Sequence, residues 1–315
     1  MSNGNTLNGW IYLNKPLGLT SRKILNQCQR LLSVKKAGYV GTLDPLATGV
    51  LPLAFGEACK TIYYLEKADK EYRFKVKWGI ETATGDLEGE IIKTSPIIPS
   101  VDAILKAIPQ FVGHISQRPP RYSAIKIDGQ RAYDLARKNV EFECEKRDVH
   151  IESLQLLSLE GHDSGESEFL VSCSKGTYVR QIAVDLAEVL GTCATVIALH
   201  RTRLGKITED MTISLDFLEK RVHDGESNTF LHPLGVGLDD IPAIFISDEE
   251  EKYLRYGQKI SLEPNRFNLS VSQSNQLDHC DEDQEPVYLA KCQNRLVGFV
   301  VREEDCLKAK RLFNI

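Results

Sequence analysis

Metal-ligand spacing is missing from this chain. Its eight cysteines include no CxxC pair and its seven histidines no HExxH or similar arrangement, which argues against a zinc site and leaves no metal implied. The cysteines are scattered, so they give no disulfide framework and read as small reduced core or surface residues. No apolar run approaches the length that spans a bilayer, and no internal repeat is evident. Met1 to Asn8 lacks the basic and apolar regions of a secretion signal, so a cytoplasmic protein is expected.

What is present is an ordinary globular composition, 42% apolar and 26% charged over 315 residues. That length exceeds the usual single domain, so one large domain and one smaller one are expected. A net charge of -5 argues weakly against a nucleic-acid partner, but its distribution says more. Lys15, Arg22, Lys23, Arg30, Lys35 and Lys36 precede Asp44, with no acidic residue among them. A phosphate-bearing substrate is drawn to such a stretch, although a solvated helix face has the same composition.

The chain is organised around Gly41-Thr42-Leu43-Asp44-Pro45-Leu46-Ala47-Thr48-Gly49-Val50-Leu51-Pro52. A lone carboxylate stands there between two glycines and two prolines, in a stiff turn that can open close to a ligand while apolar neighbours anchor its flanks. Asp44 is therefore the first candidate for chemistry. An Asp before Pro also commonly hydrogen-bonds its own turn, and the turn alone does not decide between the two.

Trp10 to Leu13 reads as a strand, and Thr20 or Ser21 caps a helix that buries Ile24, Leu25, Cys28, Leu31 and Leu32. Glu57 to Glu66 reads as a helix packed through Ala58, Ile62 and Leu65. Glu71 to Trp78 alternates strictly, which predicts a half-buried strand with Tyr72 beginning the inward face. Thr82 to Gly89 is a polar turn, and Ser100 caps a helix through Ile108. Gln117 to Ala124 is a stiff basic loop leading to a strand and turn at Ile125 to Gly129, followed by a short helix from Arg131 to Lys138. Strands are predicted over Val149 to Leu159 and Phe169 to Cys173, and the second runs through Ser174 to Arg180 into a helix at Ile182 to Leu190. Backbone amides at that junction are placed where an anion could approach, with Arg180 in the first turn.

The pattern weakens between Asp210 and Asp240, which puts a domain boundary at Leu238 to Pro242: a first domain over residues 1–240 and a second over 241–315. Beyond it come a helix (Asp248 to Tyr256), a Gly257 turn and short strands at Val287 to Ala290 and Leu296 to Val301, which suit a small β-barrel. Ser270 to Pro286 is polar and acidic and is expected to be a mobile loop.

Taken together, the Asp44 stretch closely resembles the catalytic motif of the TruB family, the bacterial pseudouridine synthases acting on the tRNA T-loop uridine numbered 55. Leu13-Asn14-Lys15-Pro16 with Gly18, Asp69-Lys70-Glu71-Tyr72, Gln117-Arg118-Pro119-Pro120 with Ser123-Ala124, Ser174 to Arg180, and Leu199 with Arg201-Thr202-Arg203-Leu204-Gly205 match in the family's order. The resemblance is strong over about residues 9 to 215 and looser beyond, where the ending Leu307 to Asn314 is similar to a PUA-type RNA-binding domain. It implies an α+β pseudouridine synthase fold, a mixed and mainly antiparallel sheet flanked by helices, followed by that small barrel.

Carried over residue by residue, the resemblance makes Asp44 the nucleophile, Tyr72 the active-site tyrosine, Arg180 the partner of the aspartate and Leu199 the apolar residue under the base. Lys15 and Pro16 shape the site, and Tyr178 belongs to the substrate-contacting run. Isomerisation breaks the N-glycosidic bond, turns the uracil over and forms a carbon-carbon bond, which a carboxylate can assist by adding covalently and leaving again. One carboxylate without a second partner does not suit the usual glycoside hydrolase. The uridine must be flipped out of a folded loop, so Arg22, Lys23, Arg118 and Arg121 are the expected phosphate contacts. The implied partner is the tRNA T stem-loop, with no cofactor, no membrane and no obligatory protein partner, acting as a monomer. An RNA-binding tRNA folding factor without turnover, or a synthase with another RNA target, stands as the alternative. The chain departs from the family at Tyr39, where His is usual, and at His200, where arginine is common.

Overall fold

The computed structural model of the protein describes residues 7–138, 140–158, 161–226, 229–239, 241–261 and 286–315. The alternation of Lys70–Trp78 buries Phe74, Val76 and Trp78 and leaves Arg73 and Lys75 in water, which makes this segment a central strand of a ten-stranded sheet. Across that sheet the order is Ile213–Ser214, Gly9–Lys15, Ala47–Phe55, Ala194–Leu204, Lys70–Trp78, Glu166–Cys173, Arg147–Ser158 and Gly113–Gln117. Ala37–Tyr39 and Ile207–Thr208 pair onto the strands Ala47–Phe55 and Ala194–Leu204.

The expected mixed, mainly antiparallel sheet is therefore present. Two junctions are parallel: Gly9–Lys15 with Ile213–Ser214, and Ala47–Phe55 with Ala194–Leu204. The second is short. Three register pairs hold it, Leu199 with Ala47, His200 with Thr48 and Arg201 with Gly49, and there the two halves of the sheet meet.

Helices cover the sheet where their apolar stripes demand it. Ser21–Leu31 starts where the Thr20 side chain accepts from the Lys23 amide, and it buries Ile24, Leu25 and Cys28. Ser100 caps Val101–Ala107 in the same way, and Val179–Val189 buries Ile182, Ala183 and Leu186. Leu13, Ile24, Leu51, Phe74, Val171 and Ile182 meet in one core.

Some elements differ from expectation. Glu57 to Glu66 is not one helix but a 3-10 turn, Gly56–Lys60, then a short helix, Ile62–Glu66. Thr61 breaks the run, because its hydroxyl donates to the Ala58 carbonyl at 2.8 Å and closes the turn locally. Thr82 to Gly89 is a turn as expected, held within a hairpin of Ile80–Thr82 and Ile91–Thr94.

The expected small barrel is a curled five-stranded sheet, a half-barrel ordered Ala243–Phe245, Val287–Cys292, Arg295–Glu303, Cys306–Leu312 and Ile260–Ser261. The stretch Ser270 to Pro286 lies, but for Pro286, outside the described residues. The two sheets share a core in which Trp10, Tyr12 and Val50 meet Leu289, Phe299 and Phe313, and Leu238 is buried in that same cluster. Tyr64 stacks on Phe299 with centroids 4.2 Å apart. Lys60 Nζ donates to the Leu312 carbonyl at 2.6 Å and the Asn314 amide to Glu57 Oε2 at 2.7 Å, so the last residues are tied to the first sheet. Among the described residues, no helix is long and apolar enough to cross a membrane.

Candidate active site

A cleft of about 740 Å³ opens over the short parallel seam, and Asp44 stands in its wall. The loop carrying Asp44 is tied down from three sides. Ser21 Oγ donates to the Leu43 carbonyl at 3.0 Å and accepts from the Leu43 amide at 2.9 Å. Lys15, wholly buried, donates to the carbonyls of Pro16 at 2.9 Å, Pro45 at 3.5 Å and Ala47 at 2.6 Å. Arg201, also wholly buried, donates from Nη2 to the Gly41 carbonyl at 2.9 Å and from Nε to the Val50 carbonyl at 2.7 Å.

The two glycines of the motif have a steric reason to be glycine. Gly41 has φ +66, and a Cβ there would lie 2.7 Å from Arg201 Nη1. Gly49 has φ +98, and its Cβ would lie 2.2 Å from the Arg201 carbonyl oxygen. Both let Arg201 pass beneath the loop.

The Asp44 carboxylate does not serve its own turn. Its Oδ2 lies 2.9 Å from Arg180 Nη2, while the Asp44 side chain keeps 41% of its surface open to the cleft. Arg180 reaches this position from the first turn of Val179–Val189 and is itself held in place. Its Nη1 pairs with Asp86 Oδ2 at 3.2 Å and donates to the Thr84 carbonyl at 2.7 Å, and its Nη2 donates to the Tyr122 carbonyl at 3.1 Å. Asp86 is buried, with its other oxygen accepting from Thr84 Oγ1 at 2.5 Å and the Glu88 amide at 3.0 Å. A planar guanidinium fixed on one side by a buried carboxylate and two carbonyls presents its remaining edge to Asp44 in one orientation.

Tyr72 and Leu199 come from neighbouring strands. Tyr72 pairs in register with Arg201, whose guanidinium carbon lies 6.0 Å from the Tyr72 ring centre, and Phe74 pairs with Leu199. Tyr39, Tyr178 and Leu199 all line the cleft with Asp44, Tyr72 and Arg180. The Gln117 side chain sets Tyr178: its Oε1 accepts from the Tyr178 amide at 2.8 Å and its Nε2 donates to the Tyr178 carbonyl at 3.1 Å. Tyr178 caps the helix that bears Arg180, so Gln117 fixes where that helix begins.

Burial dominates the electrostatics. It lowers the Lys15 ammonium to about 8, opposed by the Asp44 charge, and lowers Lys70 to about 8 with help from Arg201. It pushes the Tyr72 and Tyr178 hydroxyls up, so both are neutral phenols at physiological pH. Glu88 is raised by burial and by the charges of Asp86 and Asp44.

The expected basic contacts Arg22, Lys23, Arg118 and Arg121 are all exposed, and none of them lines the cleft. Arg22 and Lys23 lie exposed on their helix, Arg22 at 5.7 Å from the Tyr39 ring centre. Arg118 Nη1 is taken by Glu143 Oε2 at 2.8 Å and the Cys144 carbonyl at 3.1 Å, and Arg121 Nη2 donates to the Val140 carbonyl at 2.8 Å. Of the six cations before Asp44, Lys15 is buried and Lys36 pairs with Glu57 at 3.3 Å. The cleft instead receives Arg131 and Arg137, whose guanidinium carbons lie 5.8 Å and 5.7 Å from the Tyr133 ring centre. Asp86 escaped the sequence reading because it sits in a plain polar turn, and Arg201 because nothing in Arg201-Thr202-Arg203 marks which arginine is buried. Among the described residues Asp248, Glu251 and Cys292 converge as metal ligands could, but Arg295 takes both Glu251 oxygens at 2.9 and 2.7 Å and Arg255 a third contact, which makes the group an ion-pair knot.

Comparison with known proteins bears on this constellation. Residues 29–179 match the family model described as TruB family pseudouridylate synthase (N terminal domain), and residues 180–255 match the tRNA pseudouridylate synthase B C-terminal domain. The chain is 46% identical over 261 residues to the tRNA pseudouridine synthase B of Caulobacter sp. (strain K31), covering 83% of this chain and 84% of that one. It is 39% identical over 310 residues to the enzyme of that name from Ehrlichia ruminantium (strain Gardel), covering 98% and 99%. Among solved structures it is similar in fold to a chain of a Cbf5-Nop10-Gar1 complex, with TM-score 0.70 at 22% identity, covering 97% of this chain and 85% of that one. The pseudouridine synthase fold and the sequence agree, and this chain belongs to the TruB family of pseudouridylate synthases.

Proposed function

We propose that the protein isomerises the T-loop uridine of tRNA, position 55, to pseudouridine, with Asp44 as nucleophile. The observation that carries this reading is the carboxylate of Asp44, open to a cleft and paired at 2.9 Å with an Arg180 that is locked from behind by Asp86. The names of the bacterial relatives support the tRNA substrate.

The substrate uridine leaves its stack to reach the cleft, at a cost of a few kcal/mol that the Tyr72 ring and Leu199 offset by packing on the base. Asp44 then adds to the nucleoside, the N1–C1′ bond breaks, the uracil turns over, and C5 bonds to C1′. The carboxylate leaves, C5 loses its proton and N1 gains one, so composition is unchanged and no redox partner is needed. Arg180 holds the carboxylate ionised and aimed. Tyr72, a neutral phenol, contributes its ring face and a hydroxyl rather than a phenolate. The exposed Arg22, Lys23, Arg118 and Arg121, with Arg131 and Arg137 of the cleft, take the phosphates.

Residues 1–240 carry the chemistry in this reading, and 241–315 form a PUA-like unit that binds the rest of the tRNA. The protein works as a cytoplasmic monomer, for which its free cysteines suit a reducing compartment. Incubation with a uridine-labelled T stem-loop transcript tests the function. Conversion of the position-55 uridine is expected. Tight binding with no product would make the protein a folding factor, and product only in another RNA would overturn the substrate.

A further inference from the structure

The seam beneath the cleft is held by three backbone register pairs, with Asp44 on one side of it and Leu199, Arg201 and Tyr72 on the other. Any slip there moves the nucleophile relative to the surface that holds the base. Leu199, Arg201 and Ala47 line the cleft, so by strand alternation His200 and Thr48, the middle pair, project from the opposite face. On the cleft face Arg201 crosses the seam to Val50 and Gly41.

On the other face His200 crosses it too. His200 Nδ1 lies 2.7 Å from Thr48 Oγ1, and its Nε2 lies 2.7 Å from Glu209 Oε2. With Nε2–H donating to the carboxylate, Nδ1 is an acceptor for the Thr48 hydroxyl, which also reaches the Leu199 carbonyl across the seam at 3.4 Å. Glu209 is delivered by the hairpin that folds back from Ala194–Leu204 through Ile207–Thr208, and its carbonyl is fixed by the Thr212 amide at 3.0 Å and hydroxyl at 2.6 Å. The imidazole is thus oriented by one partner and spent on the other.

We propose that His200, bridging Thr48 and Glu209, is a positioning residue that staples the parallel seam from below and holds Leu199 in register with the Asp44 loop. The inference rests on the pseudouridine-forming reading for its effect on rate, while the staple itself is a statement about the fold. Arginine at position 200 keeps a donor for Glu209 and a second for Thr48 Oγ1, so it can replace the imidazole.

Single-turnover rate, RNA Kd, melting temperature and amide hydrogen exchange are measured for the wild type, Thr48→Val, His200→Ala, the double variant and His200→Arg. Thr48→Val and His200→Ala are each expected to slow the chemical step about tenfold, with RNA Kd within about twofold and faster exchange at residues 47–49 and 199–201. The double variant should be no slower than about twice the worse single one, and His200→Arg should recover most of the rate. Wild-type rates in both single variants, losses that multiply in the double variant, or a fall confined to melting temperature would overturn the proposal. Should the wild type itself make no product, the functional reading fails, and the exchange rates alone judge the staple: unchanged exchange in Thr48→Val refutes it.

Discussion

Arg180 stands between two carboxylates, meeting Asp44 at 2.9 Å through Nη2 and the buried Asp86 at 3.2 Å through Nη1. The two acids have different surroundings. Asp44 is 41% exposed and faces the cleft, whereas Asp86 is 3% exposed and committed to Thr84, Glu88 and Arg180. Asp86 therefore orients the arginine, and in the proposed reaction Asp44 is left for the substrate.

Asp86→Asn keeps the shape of that side chain and removes its charge. Turnover is expected to fall about 100-fold, or about 2.7 kcal/mol, because Arg180 loses the pairing that aims it. RNA Kd should stay within about threefold. Single-turnover assays and filter binding separate the two, and a Kd that rises in step with the loss of rate would assign Asp86 to RNA binding.

Much of this arrangement was legible in the sequence because it is local. Alternation at Lys70–Trp78, the Thr20 and Ser100 caps and the stiff Asp44 turn are written within a few residues of one another. Residue-by-residue resemblance placed Tyr72, Arg180 and Leu199 beside Asp44, which no single stretch could do. What stayed hidden depends on distant partners. Arg118 looks like a free cation until Glu143 is seen beside it, and Lys15 looks like part of a basic approach until it is found buried under three carbonyls. The Glu57–Glu66 run has helical periodicity, but Thr61 competes for the backbone and breaks it.

Lys15 gives a pH signature. Its ammonium sits at about 8 in the folded protein against about 10.4 in an unfolded chain, so between those values the unfolded state binds more protons and stability rises with pH. In Lys15→Met that contribution is absent. The unfolding free energy of the wild type relative to Lys15→Met should increase from pH 8 towards pH 10, by up to about 1.4 kcal/mol per pH unit. Urea titrations at pH 7.5 and 9.5 decide this, and a difference that is flat or falls with pH would contradict it.

Gly49 and Gly176 make a controlled pair. Both have positive φ, +98 and +89, but a Cβ meets the Arg201 carbonyl at 2.2 Å at the first and nothing within 4 Å at the second. Gly176→Ala should lose about 1–2 kcal/mol from backbone conformation alone. Gly49→Ala should lose about 1–3 kcal/mol more, because the clash is with backbone in the seam and cannot be relieved by a rotamer change. Equal losses in denaturation would mean that the close approach at Gly49 is absent.

Gln117→Leu removes both bonds to the Tyr178 backbone; the Tyr178 carbonyl keeps the Gln181 and Ile182 amides, but the Tyr178 amide loses its acceptor. A loss of about 1–3 kcal/mol in stability is expected. Turnover should fall at least tenfold in the remaining folded protein, because Arg180 lies two residues further on. A stability loss with the rate per folded molecule unchanged would show that the helix start is fixed by something other than Gln117.

The assignment of Asp44 as nucleophile is tested most directly by Asp44→Asn in a single-turnover assay on a uridine-labelled T stem-loop, with RNA Kd measured on the same preparation. The expected result is no detectable pseudouridine at a Kd within about threefold of the wild type, since the amide keeps the size of the carboxylate and loses its nucleophilicity. Substantial pseudouridine formation by Asp44→Asn would contradict it.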